Sequence, residues 1–259
     1  MSNTEKIYRY LDSLRLRDSK SLLNYFKRFE YVPSVRNKKV MDFGCGQGLL
    51  SLNLLDKGAS EVIGVDNDEV ILNFAREKIP KSAKSHKVSF TSKPLQSLSS
   101  EYFDYIFTKD AFEHCHDFEE VFFHLQRVLK TGGSLVIGFG PLWNSPFGDH
   151  KILQAALGFS LPWLHLLLPD EVLKNLFNNS SMGTKKKVMK KKIECIDSYL
   201  NKITLERFFK AVEANNLEIS YCNINAHQNN FLNTLGKLKA LFFLGKYWER
   251  NAYCILKKV

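Results

Sequence analysis

Asp42 stands just ahead of three alternating glycines, Gly44, Gly46 and Gly48, in the nonapeptide Val-Met-Asp-Phe-Gly-Cys-Gly-Gln-Gly that spans Val40 to Gly48. Such glycines let the chain turn sharply and let a ligand lie against bare peptide, a common way to hold a nucleotide. A dinucleotide loop would need a glycine at Leu49, and a phosphate loop would need Gly-Lys-Ser/Thr, so the pattern fits neither. A carboxylate at the mouth of the loop repels a pyrophosphate and attracts a cation. An adenosyl group carrying an ammonium and a sulfonium, S-adenosylmethionine (SAM), fits that charge better than NAD does.

A second group of reactive side chains lies further along. Asp110, Glu113 and His114 are spaced i, i+3 and i+4 and share one face if that segment is helical. With His150 they form a two-oxygen, two-nitrogen set suited to Mg²⁺ or, better, Mn²⁺. The reading adopted from sequence is that no metal is bound and that Glu-His holds its loop by hydrogen bonds. His150 follows Asp149 in the segment Gly-Pro-Leu-Trp-Asn-Ser-Pro-Phe-Gly-Asp-His. A histidine there has the ordinary pKa of a general base, so His150 is the candidate catalytic residue.

The elements that must position these residues alternate between strand-like and helix-like runs, as in a parallel sheet covered on both faces. Strands are expected at Lys39–Phe43, Glu61–Asp66, Lys87–Thr91, Phe103–Thr108, Ser134–Gly138, Leu217–Asn223 and Tyr253–Lys257. Helices are expected at Leu49–Lys57, at Glu69–Lys78, from a capping box of Asp117 and Glu120 to Leu129, and from Thr204 to a left-handed stop at Asn215-Asn216. Residues 1–38 read as two amphipathic helices packed on the main domain of residues 39–259. Residues 141–203 form an insertion with Trp143, Phe147, Phe159 and Trp163, placed where α/β proteins build specificity, and are expected to lid or wall an apolar acceptor pocket.

With 259 residues, 44% of them hydrophobic, the chain can build one large α/β domain. Its five cysteines, Cys45, Cys115, Cys195, Cys222 and Cys254, are scattered without a C-x-x-C pair, which argues against a disulfide framework or a zinc knuckle. The start Met-Ser-Asn-Thr-Glu-Lys lacks an apolar signal core, and the most apolar stretch, Ile152 to Leu168, is broken by Gln154, Gly158, Pro162 and His165. A cytoplasmic location is the expectation. The net charge of +10 suits an anionic partner such as nucleic acid, a phosphorylated substrate or a membrane surface, although much of it lies in a lysine run from Lys185 to Lys192 that reads as a solvated loop.

Four stretches in order carry a family resemblance: Val-Met-Asp-Phe-Gly-Cys-Gly-Gln-Gly, Val-Ile-Gly-Val-Asp-Asn, Phe-Asp-Tyr-Ile-Phe-Thr-Lys-Asp-Ala-Phe-Glu-His and Leu-Lys-Thr-Gly-Gly-Ser-Leu-Val-Ile. Together they resemble the class I SAM-dependent methyltransferases of the type 11 group, closely from Lys39 to Gly140 and loosely over the last two strands. The resemblance implies a Rossmann-like seven-stranded sheet, mostly parallel with an antiparallel last strand. It implies that Gly44, Cys45, Gly46 and Gly48 face SAM, with Asp42 and the Lys109 carbonyl on the ammonium side. It also implies that Asp66 and Asn67 meet the ribose hydroxyls, which one carboxylate can accept together. After the third strand the family often has an aspartate beside the adenine, whereas this chain has Pro94, so that contact passes to Ser92 or to the backbone near Lys93 and Leu95. The function read from these residues is methyl transfer to oxygen or nitrogen of a small, anionic metabolite. The alternative is a metal-dependent RNA 2′-O-methyltransferase, since an acidic residue, Glu-His and a later histidine resemble the pattern of the enzymes that methylate small-RNA ends.

Overall fold

The computed structural model describes residues 3–79, 85–180, 193–225 and 245–259; the Lys185–Lys192 run lies outside them. Seven strands form one sheet: β1 (Lys39–Phe43), β2 (Glu61–Val65), β3 (Val88–Thr91), β4 (Phe103–Lys109), β5 (Leu129–Phe139), β6 (Leu217–Ile224) and β7 (Ala252–Lys258). Their spatial order is β3-β2-β1-β4-β5-β7-β6. The first five pair in parallel, and β7 runs antiparallel to both β5 and β6. All seven expected strands form, and the largest difference is that β5 begins at Leu129 instead of Ser134.

Alternate residues of the central strands point to opposite faces. Met41, Ile106, Leu135, Ile137, Cys254 and Leu256 pack on one side, with α4 (Phe118–Val128) and α8 (Leu205–Ala214). Val40, Phe107, Val136, Tyr253 and Ile255 pack on the other, with α1 (Asn3–Phe26), α2 (Leu49–Asp56) and α3 (Glu69–Glu77). Burial on both faces explains why these strands read as nearly continuous apolar runs. The strand order reverses between β1 and β4, and the crevice beyond their carboxyl ends is where such sheets bind ligands.

Two local expectations are corrected. Where two helices were expected, one long helix, Asn3–Phe26, forms. No glycine or proline interrupts Leu14 to Leu22, and positions 7, 11, 14, 18, 22 and 25 make one unbroken stripe at spacings of three and four. Its buried members anchor both ends: Ile7 and Leu11 pack on Phe74, and the Tyr25 hydroxyl donates to the Val136 carbonyl at 3.0 Å. The capping box at α4 is also absent, because Asp117 makes no side-chain cap and Glu120 instead accepts from Gln96 Nε2 at 2.7 Å. At α8 the cap is present, with Thr204 Oγ1 accepting from the Arg207 amide at 3.2 Å and Asn216 left-handed at φ 51°.

Among the described residues, the insertion after β5 holds three short helices, α5 (Ile152–Leu157), α6 (Leu164–Leu167) and α7 (Asp170–Asn179). They share a small core of Ile152, Leu153, Leu173, Phe177, Ile196 and Leu200. Among the described residues no helix is long and apolar enough to cross a membrane.

Candidate active site

Two clefts meet at the glycine turn after β1, and Gly44 lines both. Gly44 has φ 71°, and a side chain there would meet the Ala111 Cβ at 2.4 Å, so the segment after β4 packs directly on the bare turn. The amides of Gly44 and Cys45 both donate to the Val65 carbonyl, which ties the turn to the end of β2.

The larger cleft, about 580 Å³, is lined on one side by Asp66, Asn67, Ser92, Lys93, Pro94 and Leu95. Asp66 braces the turn: its Oδ2 accepts from the Gly46 amide and its Oδ1 from the Asp68 amide, each at 3.0 Å. A carboxylate has about four acceptor sites, so two hydroxyls can still be taken. The opposite side is formed by Asp110, His114, Cys115 and His116, with Ser198 from the insertion.

The smaller cleft, about 360 Å³, lies under α1 and is lined by Asp42, Cys45, Gly46, Gln47 and Lys109, with Asp18 above. Asp18 occupies the one polar position of the α1 stripe, and its Oδ2 accepts from Gln47 Nε2 at 3.1 Å. That carboxylate went unnoticed in the sequence, although a charged residue inside an otherwise apolar stripe is a visible signal.

Asp42 is 1% exposed and accepts from Ser51 Oγ at 2.6 Å. Burial pushes its carboxyl up to about 7, against the hydrogen bonding from Ser51 that pulls it down. A cationic ligand prefers the charged form, so SAM affinity is expected to rise about fifteenfold between about pH 5.5 and 7 as Asp42 ionises. Calorimetry across that range should show the rise in wild type and a flat profile in Asp42→Asn. For folding the sign is reversed: the native state retains a proton that the unfolded chain has released, so the ligand-free protein loses stability as pH climbs from about 4 toward 7.

Gly48 differs from the other glycines of the loop. It caps α2 at φ 74°, with Phe90 and Ala75 where a side chain would go, and it lines neither cleft. Cys45 is buried, and burial pushes its thiol well up, so only its backbone is suited to a ligand.

The segment after β4 is a short 3₁₀ turn, Phe112–His114, rather than an α-helix. The expected face of Asp110, Glu113 and His114 therefore does not form. Asp110 is left-handed at φ 52° and pairs with Lys109 Nζ, while Glu113, His114 and His150 come together. Asn201 clamps this turn: its Nδ2 donates to the carbonyls of Phe112 and Cys115 at 2.6 and 2.7 Å, and its amide donates to the Glu113 carbonyl at 2.9 Å. Arg207 holds Asn201 in turn, donating to its carbonyl at 2.7 Å while forking onto Glu119. Nothing local in the sequence marks Asn201, which reaches the turn from far along the chain.

His150 is left-handed at φ 52°, and its Nε2 donates to the Pro141 carbonyl at 3.1 Å. Burial pushes its pKa down to about 3, with His114 nearby adding to the shift. An imidazole held neutral this strongly is a weaker general base than its ordinary pKa would make it. The buried Asp149 stays structural, its Oδ2 accepting from the Leu153 amide at 2.8 Å.

The aromatic residues of the insertion line neither cleft. Trp143 packs edge-on against His165, Trp163 stacks near Trp248 and donates from Nε1 to the Tyr247 carbonyl, and Phe159 is 54% exposed. The insertion reaches the larger cleft instead through Ser198, and Tyr199 contacts His114 beside it.

With this geometry in place, similarity to known proteins becomes informative. Residues 41–137 match the family model described as a methyltransferase domain. The demethylmenaquinone methyltransferase of Bacteroides fragilis is 33% identical over 116 residues, 43% of this chain and 46% of that protein. The ubiquinone biosynthesis O-methyltransferase of Nitrosomonas europaea is 31% identical over 114 residues, with the same coverage of 43% and 46%. The matched region thus spans less than half the length of these curated relatives. Among solved structures, an S-adenosylmethionine-dependent methyltransferase from Mesorhizobium loti superposes with TM-score 0.54 at 17% identity, over 87% of this chain and 93% of that one. The match over residues 41–137 is to a methyltransferase domain, and the sheet order and superposed structure give the chain the fold of the class I SAM-dependent methyltransferases.

Proposed function

We propose that this protein transfers the methyl group of SAM to an oxygen or nitrogen atom of a small molecule. The observation that carries this reading is the larger cleft, which runs without interruption from Asp66, Asn67 and Leu95 to Asp110, His114 and Ser198. One end suits an adenosine and the other leaves room for an acceptor, within the few hundred cubic ångströms usual for small ligands. Asp66 and Asn67 are assigned to the ribose, Ser92, Lys93 and Leu95 to the adenine edge, and Gly44, Cys45 and Gly46 to the methionine and ribose backbone contacts. Asp42 and the Lys109 carbonyl are assigned to the ammonium.

When bound, SAM supplies an electrophilic methyl carbon on a positively charged sulfur. The protein's part is alignment and exclusion of water. The insertion is assigned the roof over the acceptor end, through Ser198, Tyr199 and His150. The net charge of +10 favours an anionic acceptor, while the cleft wall itself mixes His114 and His116 with Asp110 and Asp117. Relatives named for menaquinone and ubiquinone biosynthesis support a small acceptor rather than RNA.

The test is to incubate the protein with methyl-labelled SAM and either a small-metabolite extract or total RNA. Label is expected in the small molecules. Label confined to RNA would overturn the choice of acceptor, and label in neither would remove the enzymatic reading. At saturating SAM the rate is expected to show no histidine limb near pH 6.5. His150→Ala should still lower the rate about tenfold or more, through lost positioning.

A further inference from the structure

Cys222 and Cys254 lie 32 positions apart in the sequence, yet they face each other directly across the β6–β7 pair. That meeting depends on one extra residue in β6. Ile219 pairs with Leu256 but Tyr221 pairs with Ile255, which leaves Ser220 over and brings Cys222 opposite Cys254; in unshifted register Tyr221 would stand there instead. Directly opposed residues of an antiparallel pair share a face of the sheet and keep their Cα atoms about 4.5–5.5 Å apart, inside the range of about 4.4–6.8 Å that a disulfide spans. The two sulfurs lie 2.9 Å apart.

The two thiols differ in the way a reactive pair requires. Cys254 is fully buried and pairs on its other side with Ile137 of β5, whereas Cys222, on the edge strand, is exposed. A hydrogen bond from Cys254 pulls the Cys222 thiol down from its ordinary value, against the upward push of burial. The same bond, with burial adding to it, pushes Cys254 well up. Cys222 is therefore the readier thiolate, and Cys254 holds its proton. Burial pushes the thiols of Cys45 and Cys115 up as well, which leaves both poor nucleophiles.

We propose that Cys222 and Cys254 are a redox-active pair, in which Cys222 reacts with low-molecular-weight disulfides and Cys254 resolves the adduct by closing a disulfide between β6 and β7. In the first step the Cys222 thiolate attacks one sulfur of glutathione disulfide. A new S–S bond forms to Cys222, the old one breaks, and one glutathione thiolate leaves and takes up a proton. Capping Cys222 removes the hydrogen bond that most strongly raised Cys254. The Cys254 sulfur then attacks the Cys222 sulfur, and its proton goes to the second glutathione as that leaves. Two protein thiols are oxidised, one glutathione disulfide is reduced to two thiols, and the edge strand is fastened covalently to its neighbour.

The full chain should be equilibrated with a series of reduced-to-oxidised glutathione ratios, quenched in acid, and read by intact mass and peptide mapping. At the oxidising end wild type is expected to lose two hydrogens and to yield a linked peptide pair containing Cys222 and Cys254. Glutathione should remain on Cys222 in less than about a tenth of the chains, because the resolving thiol sits at high effective concentration. Cys254→Ser should raise that adduct at least about tenfold. Cys222→Ser should form no internal disulfide, and as a change at an exposed position it carries the test if Cys254→Ser fails to fold. The pairing is overturned if both wild-type thiols stay free, if a stable adduct on Cys222 or a link between two chains forms instead, or if an internal disulfide survives in Cys222→Ser.

Discussion

Asp66→Ala is expected to bind SAM at least about a hundredfold more weakly than wild type, with a lowered melting temperature from the two turn amides it leaves unpaired. The carboxylate does two things at once. It holds the Gly46 and Asp68 amides at 3.0 Å, fixing the glycine turn, and it faces the larger cleft, where its remaining acceptor sites meet the ribose hydroxyls in the proposed binding mode. Hydrogen bonds to a charged acceptor contribute about 1.5–3 kcal/mol each, so losing two costs about 3 kcal/mol or more, and each 1.4 kcal/mol is about tenfold in affinity. Calorimetry with SAM and with NAD in parallel decides the matter. An unweakened variant, or equal heats with NAD, would sink the assignment of this cleft.

Phe112→Ala should destabilise the fold by about 3–5 kcal/mol, read as a drop in denaturation midpoint. Phe112 is fully buried, and its ring meets Phe118 at 5.4 Å, Phe122 and Phe139 at 5.8 Å and Phe43 at 6.4 Å. It is also the first residue of the turn that carries Glu113 and His114. Phe123→Ala gives the contrast: that ring is 51% exposed on α4, and its loss should stay within about 0.5 kcal/mol. Similar midpoints for the two variants would show that the aromatic cluster does not support the turn.

What was legible in the sequence is what short-range physics encodes. The strands were readable because burial on both faces forces apolar runs, as in Val40-Met41 and Leu135-Val136-Ile137. The glycine turn was readable because positive φ and the close approach of Ala111 at Gly44 select that residue type. The Thr204 cap and the left-handed Asn216 were readable because they satisfy amides and carbonyls within a few residues. That Asp42 and Asp66 line the clefts was legible from their place near the ends of β1 and β2, where an α/β sheet opens its crevice.

What only tertiary structure decided depends on distant segments returning to one place. Spacing alone joined Asp110 to Glu113 and His114, but a helix does not form there, because Asn201 and Arg207, far along the chain, hold the segment as a 3₁₀ turn. The pKa of His150 follows from its burial beside Pro141 and His114, which no local pattern announces. The insertion aromatics pair with one another and with residues near the carboxyl end instead of walling the cleft, since composition fixes apolar area and not the direction it faces. Asp18 over Gln47 stands between the two cases: its place in the α1 stripe was written in the sequence, but the glycine turn beneath it was set by the packing of α1 on the sheet.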